Sequence, residues 1–244
     1  MFIQAAINGR RSKAEHPLIP ISSSELAEAA LGAAAAGAGA IHFHSRAHDG
    51  QETLDSSDVA QNLIAVRARA KGVPVGVSTG AWIVTDPEVR LSKIHAWKVL
   101  PDFASVNFHE DGATQLTQLL LDRRVGVEAG IVSINAARQF ISSGLASQCL
   151  RVLIEPQEKS LEAALGTAST IEAMLDGAGV QTPRILHGVD ATAWELMDEA
   201  IRREHSVRIG FEDTLELRNG KTARDNAELV REAKSNLEIY RRHA

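Results

Sequence analysis

The sequence predicts an α/β protein, a (β/α)8 TIM barrel filling residues 1–244 as a single domain. Three observations point there. Eight short β-branched or apolar runs alternate with longer helical patterns, the mark of repeated βα units around a parallel sheet. The units are evenly spaced, with no linker or low-complexity segment between them. No G-x-G-x-x-G follows the first run, so the main signal for a doubly wound dinucleotide-binding sheet is missing.

The strand-like runs are "FIQAAIN" (2–8), "AIHFHSR" (40–46), "VPVGVST" (73–79), "FASVNF" (103–108), "VGVEAGI" (125–131), "LRVLIEP" (150–156), "RILHGVD" (184–190) and "SVRIGFED" (206–213). Helical stretches such as "SELAEAALGAAAAG" and "LEAALGTASTIEAMLDGAG" lie between them. Ser22 with Glu25 reads as a capping box, and Asp86-Pro87 as a cap followed by a first-turn proline. Gly144, Gly177 and Gly179 stand where helices should stop. The alanine-rich "ALGAAAAGAGA" reads as a closely packed helix.

Composition narrows the function. Hydrophobic residues make up 44% and charged residues 23% of the 244, as in an ordinary globular protein. The 26 basic and 31 acidic residues leave a formal charge of −5, without the basic face that nucleic acid requires. Cys149 is the single cysteine, which rules out an internal disulfide, and its place before an apolar run reads as buried packing. The N-terminus "MFIQAAINGRR" does not read as a secretory signal, and no apolar run reaches the length of a membrane span. The expectation is a soluble cytoplasmic protein with no membrane or nucleic-acid partner.

In a barrel, chemistry gathers at the C-terminal ends of the strands. Those ends carry Asn8-Gly9, His42 and His44 with Arg46, Ser78-Thr79, Asn107, Glu128, Glu155, His187 with Asp190, and Arg208 with Glu212-Asp213. His42 and His44 alternate along one strand and so share a face. They are either packing histidines or two ligands of a metal site that a carboxylate would complete. Glu212, read on the eighth strand, is the candidate carboxylate, because closure sets strands eight, one and two side by side. Arg208, Glu212 and Asp213 are either a surface ion-pair network or a division of labour, with Asp213 a general base held by Arg208. "GVSTG" formally matches a nucleophile elbow, but the next helix waits until about Asp86. Ser78 is therefore read as a hydrogen-bonding group at the mouth, with Thr79 and Glu128 as candidate substrate contacts. His187 lines the site or is structural, His95 is read as structural, and His16, His48, His109 and His205 show no ligating spacing.

"AAINGR", "IPISSSEL", "GAIHFHSRAHDG", "VSTG", "SVNF" and "VRIGFEDTL…NAELV", in this order, together resemble the β-keto acid cleavage enzyme family. The resemblance runs from the first strand to the last helix. It implies one Zn2+ per chain and acyl exchange between a β-keto acid and acetyl-CoA, giving acetoacetate and a new acyl-CoA. By motif, it implies His42, His44 and Glu212 as zinc ligands, Arg208 and Asp213 as the deprotonating dyad, and Ser78 assisting. It implies Ser105 and Asn107 as substrate contacts, and assembly into a homo-oligomer. Where a member acting on an amine-bearing keto acid carries a glutamate after the first-strand glycine, this chain has Arg10 and Arg11. Arg11 is accordingly a candidate contact for a neutral or anionic substrate. "ASVNFHED" places His109-Glu110 where they would reshape the pocket. The competing readings are a metal-dependent aldolase or hydrolase without coenzyme A, and a non-catalytic small-molecule-binding barrel.

Overall fold

Eight parallel strands close on themselves in chain order, β1 through β8, with β8 pairing back onto β1. The computed structural model describes residues 1–243. In order the elements are β1 (Ile3–Ala6), α1 (Ser23–Ala36), β2 (Ala40–Phe43), α2 (Ser56–Arg69), β3 (Val75–Ser78), α3 (Pro87–His95), β4 (Phe103–Asn107) and α4 (Ala113–Asp122). They continue with β5 (Gly126–Ile131), α5 (Ile134–Ser143), β6 (Arg151–Ile154), α6 (Leu161–Gly177), β7 (Arg184–Leu186), α7 (Ala193–Arg202), β8 (Ser206–Ile209) and α8 (Asn226–His243). The result is a single-domain (β/α)8 TIM barrel.

Strand alternation divides the side chains into two sets. One parity carries Ile3, Ala5, Ile41, Phe43, Val75, Val77, Val106, Val127, Ile131, Val152, Val207 and Ile209, which join the apolar core beneath the helices. The other carries Gln4, His42, Ser78, Ser105, Glu128, Arg151 and Arg208, all buried and polar. A strand buried on both faces reads as a nearly continuous apolar run, and the polar interruptions in these runs mark the barrel interior.

The expected helix signals are in place. The Glu25 amide donates to Ser22 Oγ (3.3 Å) and the Ser22 amide to Glu25 Oε2 (2.9 Å), closing the capping box ahead of α1. Asp86 Oδ1 accepts from the Glu88 and Val89 amides (2.9 and 3.0 Å) at the start of α3. Gly144 ends α5 in the left-handed conformation (φ 71°). Cys149 is buried, and burial pushes its thiol up to about 11, as suits packing rather than chemistry. No helix among the described residues is long and apolar enough to cross a membrane.

The strands are shorter at their C-terminal ends than the sequence pattern predicts. The run read through Arg46 stops laddering at Phe43, and the run read through Asp213 stops at Ile209. Glu212 and Asp213 therefore sit on the turn after β8, not on the strand. There the amides of Asp213 and Thr214 both donate to Gly210 O (2.9 Å), and the Glu212 amide donates to Ala6 O (3.0 Å). Gly210 permits this approach, since a Cβ built on it would lie 2.1 Å from Ala6 O. Gly210→Ala should cost about 1–3 kcal/mol through this overpacking, read as a lowered midpoint in denaturant unfolding. An unchanged midpoint would show that the turn is free to lift from β1.

Candidate active site

His42 projects inward from β2, and His44, one residue past its end, keeps the same parity. Glu212 comes to them across the β8–β1 seam. Its Oε2 lies 3.6 Å from His42 Nε2 and its Oε1 3.4 Å from His44 Nε2, and one donor atom from each residue fits within 4.8 Å of the others. Metal–ligand bonds of about 2.0–2.2 Å place tetrahedral donors ~3.4 Å apart, so the spacing suits a small divalent ion. Glu212 Oε2 is buried without a hydrogen-bond partner, as a ligand oxygen would be. Gly9 makes the room, because a Cβ there would meet Glu212 Cγ at 2.4 Å, and its φ of +57° suits glycine in any case.

Two asparagines lock this geometry. Asn8 holds the His44 backbone on both sides: Asn8 Oδ1 accepts from the His44 amide (2.8 Å), and Nδ2 donates to His44 O (2.9 Å) and Pro20 O (3.2 Å). Asn226, at the start of α8, donates to Ile7 O (2.9 Å) and accepts from the Phe211 amide (2.8 Å), pinning β1 and the post-β8 turn together. Asn8 was visible at a strand end in the sequence. Asn226 opens the quoted motif "NAELV" but carried no role there, because nothing in "ARDNAELV" marks a side chain that bridges the segments after β1 and β8.

The charges are tightly interlocked. Arg208 Nη2 donates to Glu212 Oε1 (2.9 Å) and Asp213 Oδ1 (2.6 Å), and Nε to Asp213 Oδ1 (3.2 Å). His187 stands between two carboxylates, with Nδ1 3.5 Å from Asp213 Oδ1 and Nε2 3.3 Å from Glu155 Oε2. Burial pushes the Asp213 carboxyl up, against the opposing pull of Arg208 and His187. Burial also works against Glu212 and Glu155, but it loses there. Arg208 and the two histidines hold Glu212 well below the carboxylate range, and His187 with Arg208 brings Glu155 to about 2. Burial pushes His42 down to about 3. On His44 burial is outweighed by Glu212 and by Glu52, whose Oε1 lies 2.5 Å from His44 Nδ1, and the imidazole rises to about 9.

A cavity of about 600 Å3 opens above these groups. Arg11, His42, His44, Ser78, Ser105, Asn107, Arg208 and Glu212 line it, joined by Arg10, Trp82, His109 and Glu155. Three residues expected at the mouth are placed elsewhere. Glu128, low on β5, is fully buried and bonds Arg151 and Gln4 Nε2 (2.5 Å). The Thr79 hydroxyl donates to Ser105 O (2.6 Å) inside the sheet. Asp213 is fully buried behind Arg208, so Arg208 is the member of that pair in the wall. Arg11 pairs with Asp190 and Glu15 and donates to Glu212 O (3.4 Å). Of His109 and Glu110, only the histidine reaches the cavity. Glu110 turns to Arg90 (2.8 Å) and to the Asn107 side chain (2.9 Å). Trp82 and Glu52 went unnoticed in the sequence, since a lone aromatic and a lone acid on separate loops carry no pattern.

The Asn8 clamp yields a stability prediction. Asn8→Ala strands the buried His44 amide and carbonyl, which should cost about 1–3 kcal/mol in denaturant unfolding. A change within about 0.5 kcal/mol would mean that other groups satisfy them.

Comparison with known proteins identifies the family. The model of the β-keto acid cleavage enzymes matches residues 1–244. The 3-keto-5-aminohexanoate cleavage enzyme of Fusobacterium nucleatum is 27% identical, over 94% of this chain and 88% of its own length. That of Acetoanaerobium sticklandii is 24% identical, over 94% and 89%. A homocysteine methyltransferase from Escherichia coli superposes with a TM-score of 0.60 over 97% of this chain and 95% of its own, at 12% identity, and shares the fold alone. Matched by its family from first residue to last, the chain belongs to the β-keto acid cleavage enzymes.

Proposed function

We propose that this protein is a zinc-dependent acyltransferase. It exchanges acyl groups between a β-keto acid and acetyl-CoA, giving acetoacetate and a new acyl-CoA. The observation that carries the reading is the meeting of His42, His44 and Glu212 donor atoms in a cavity wall shared with Arg208, which Asp213 backs. Two imidazole nitrogens and a carboxylate oxygen are a donor set that suits zinc and leaves a position open. When bound there, zinc supplies Lewis-acid polarisation of a substrate carbonyl.

The chain's own residues do the rest. Arg208, cationic and in the wall, receives the keto acid's carboxylate. The Arg208–Asp213 pair takes the proton from the carbon between the carbonyls: Arg208, the member in the wall, relays it to Asp213 behind, which burial makes the basic member. Ser78, Ser105 and Asn107 line the same cavity as hydrogen-bonding groups for the carbonyl and thioester oxygens. The carbanion attacks the thioester carbonyl and displaces the coenzyme A thiolate. The thiolate then adds to the original keto carbon, the old C–C bond breaks, and the proton returns from Asp213 by way of Arg208 to the acetoacetate carbanion. Arg10 and Arg11 at the cavity suit a neutral or anionic distal end on the substrate. The names of the two relatives specify an amine-bearing one.

The test is elemental analysis beside turnover. About one zinc per chain, lost in His44→Ala, is expected, with keto acid consumed only when acetyl-CoA is present. Asp213→Asn should keep its zinc and lose ~100-fold or more in turnover. A dicarboxylic keto acid should be used ahead of the 5-amino keto acid. Consumption without acetyl-CoA would favour an aldolase or hydrolase, and absence of metal uptake would sink the mechanism.

Metal uptake should also release a proton. In the metal-free protein His44 stays protonated to about 9, whereas His42 is already neutral above about 3. The metal therefore displaces the His44 proton below pH 9, and affinity rises with pH and levels off above it. Calorimetry in two buffers of different ionisation heat measures this. Affinity flat between about pH 6 and about pH 9 would contradict it.

A further inference from the structure

The two histidines are held very differently. His42 Nδ1 is buried with no hydrogen-bond partner, so no polar group holds that edge of the ring. His44 is gripped from two loops. Glu52, on the segment that folds back after β2 through the Arg46–Glu52 bridge, places Oε1 2.5 Å from His44 Nδ1. Trp82, on the loop after β3, stacks on the His44 ring with centroids 5.7 Å apart and planes at 27°. Its indole N–H then donates to both oxygens of Glu52 (3.1 and 3.2 Å). Imidazole, carboxylate and indole thus close a small ring of contacts.

We propose that Glu52 and Trp82 are positioning residues, a two-loop clamp that fixes His44 with its Nε2 lone pair toward Glu212 and thereby sets how firmly the site retains its metal. The proposal rests on the metal site described above. A carboxylate at Nδ1 accepts that N–H, which fixes the tautomer and leaves Nε2 as the ligand atom. It also makes the ring a stronger donor. Trp82 keeps the carboxylate from rotating away, and its ring stacks on the imidazole. Arg10, 5.4 Å above the indole, extends the stack outward to the rim.

The experiment loads purified protein with zinc and titrates it against a chelator of known affinity, for the parent, Glu52→Ala, Glu52→Gln and Trp82→Phe. Circular dichroism checks the fold. Glu52→Ala should weaken zinc binding about 10–100-fold. Glu52→Gln, which keeps an acceptor without the charge, should fall between it and the parent. Trp82→Phe, which keeps the stack and loses the N–H, should show a smaller loss. If Glu52→Ala does not fold, the near-isosteric Glu52→Gln decides alone. A folded Glu52 variant that holds zinc as tightly as the parent would overturn the clamp while leaving the metal site intact. A parent that takes up no zinc would overturn the metal site, and the clamp with it.

Discussion

The turn after β8 lies directly on the backbone of β1, and the rest of the site depends on that contact. The Glu212 amide bonds Ala6 O, Gly210 lets the chains touch, and Gly9 leaves space for the Glu212 side chain. Barrel closure alone makes β8 and β1 neighbours. The two glycines turn neighbourhood into contact, and contact puts a carboxylate within 3.6 Å of both histidines. Asn8 and Asn226 then tie His44, β1 and the turn together through side chain to backbone hydrogen bonds. Such bonds hold position without adding charge to a crowded site.

Electrostatics explains why the arrangement favours a cation. Arg208 faces the buried Asp213 and the half-buried Glu212 and Glu155, three carboxylates to one guanidinium. Glu52 adds a fourth acid behind His44, and the protonated His44 and the buried Arg46 offset two of the four, leaving one negative charge over. Buried charge is costly unless compensated, and the surplus here is negative. A divalent ion at the His42–His44–Glu212 junction would balance it. The same surplus raises His44 and, with burial, pushes Asp213 upward, so one imbalance would both favour a bound cation and raise the basicity of Asp213.

Much of this was legible from residues alone. The alternation of strand and helix runs, the capping box at Ser22 and the parity of His42 and His44 are local features that the chain displays directly. The assignment of Glu212 leaned on closure and on family motifs, and its precise setting differs from the expectation, since the residue lies on a turn. Glu128 shows why a strand-end reading errs. In a run of alternating residues, the sequence does not say where the ladder begins, and a shift of two positions moves a side chain from the mouth to the floor. Thr79 misses the cavity for another reason: it follows β3 on the parity of Val75 and Val77, and its hydroxyl donates to Ser105 O.

The sequence by itself determined the class of fold, the order of its units and the short list of chemically able residues. All of these follow from periodicity and from residues close in the chain. Tertiary structure alone decided which of those residues meet. Glu52 and Trp82 are 30 positions apart, and Asn226 lies 219 positions from Ile7. Their pairing depends on where loops come to rest once the barrel has closed. Periodicity carries no record of that, because loop positions are set by packing and hydrogen bonding among segments distant in the chain.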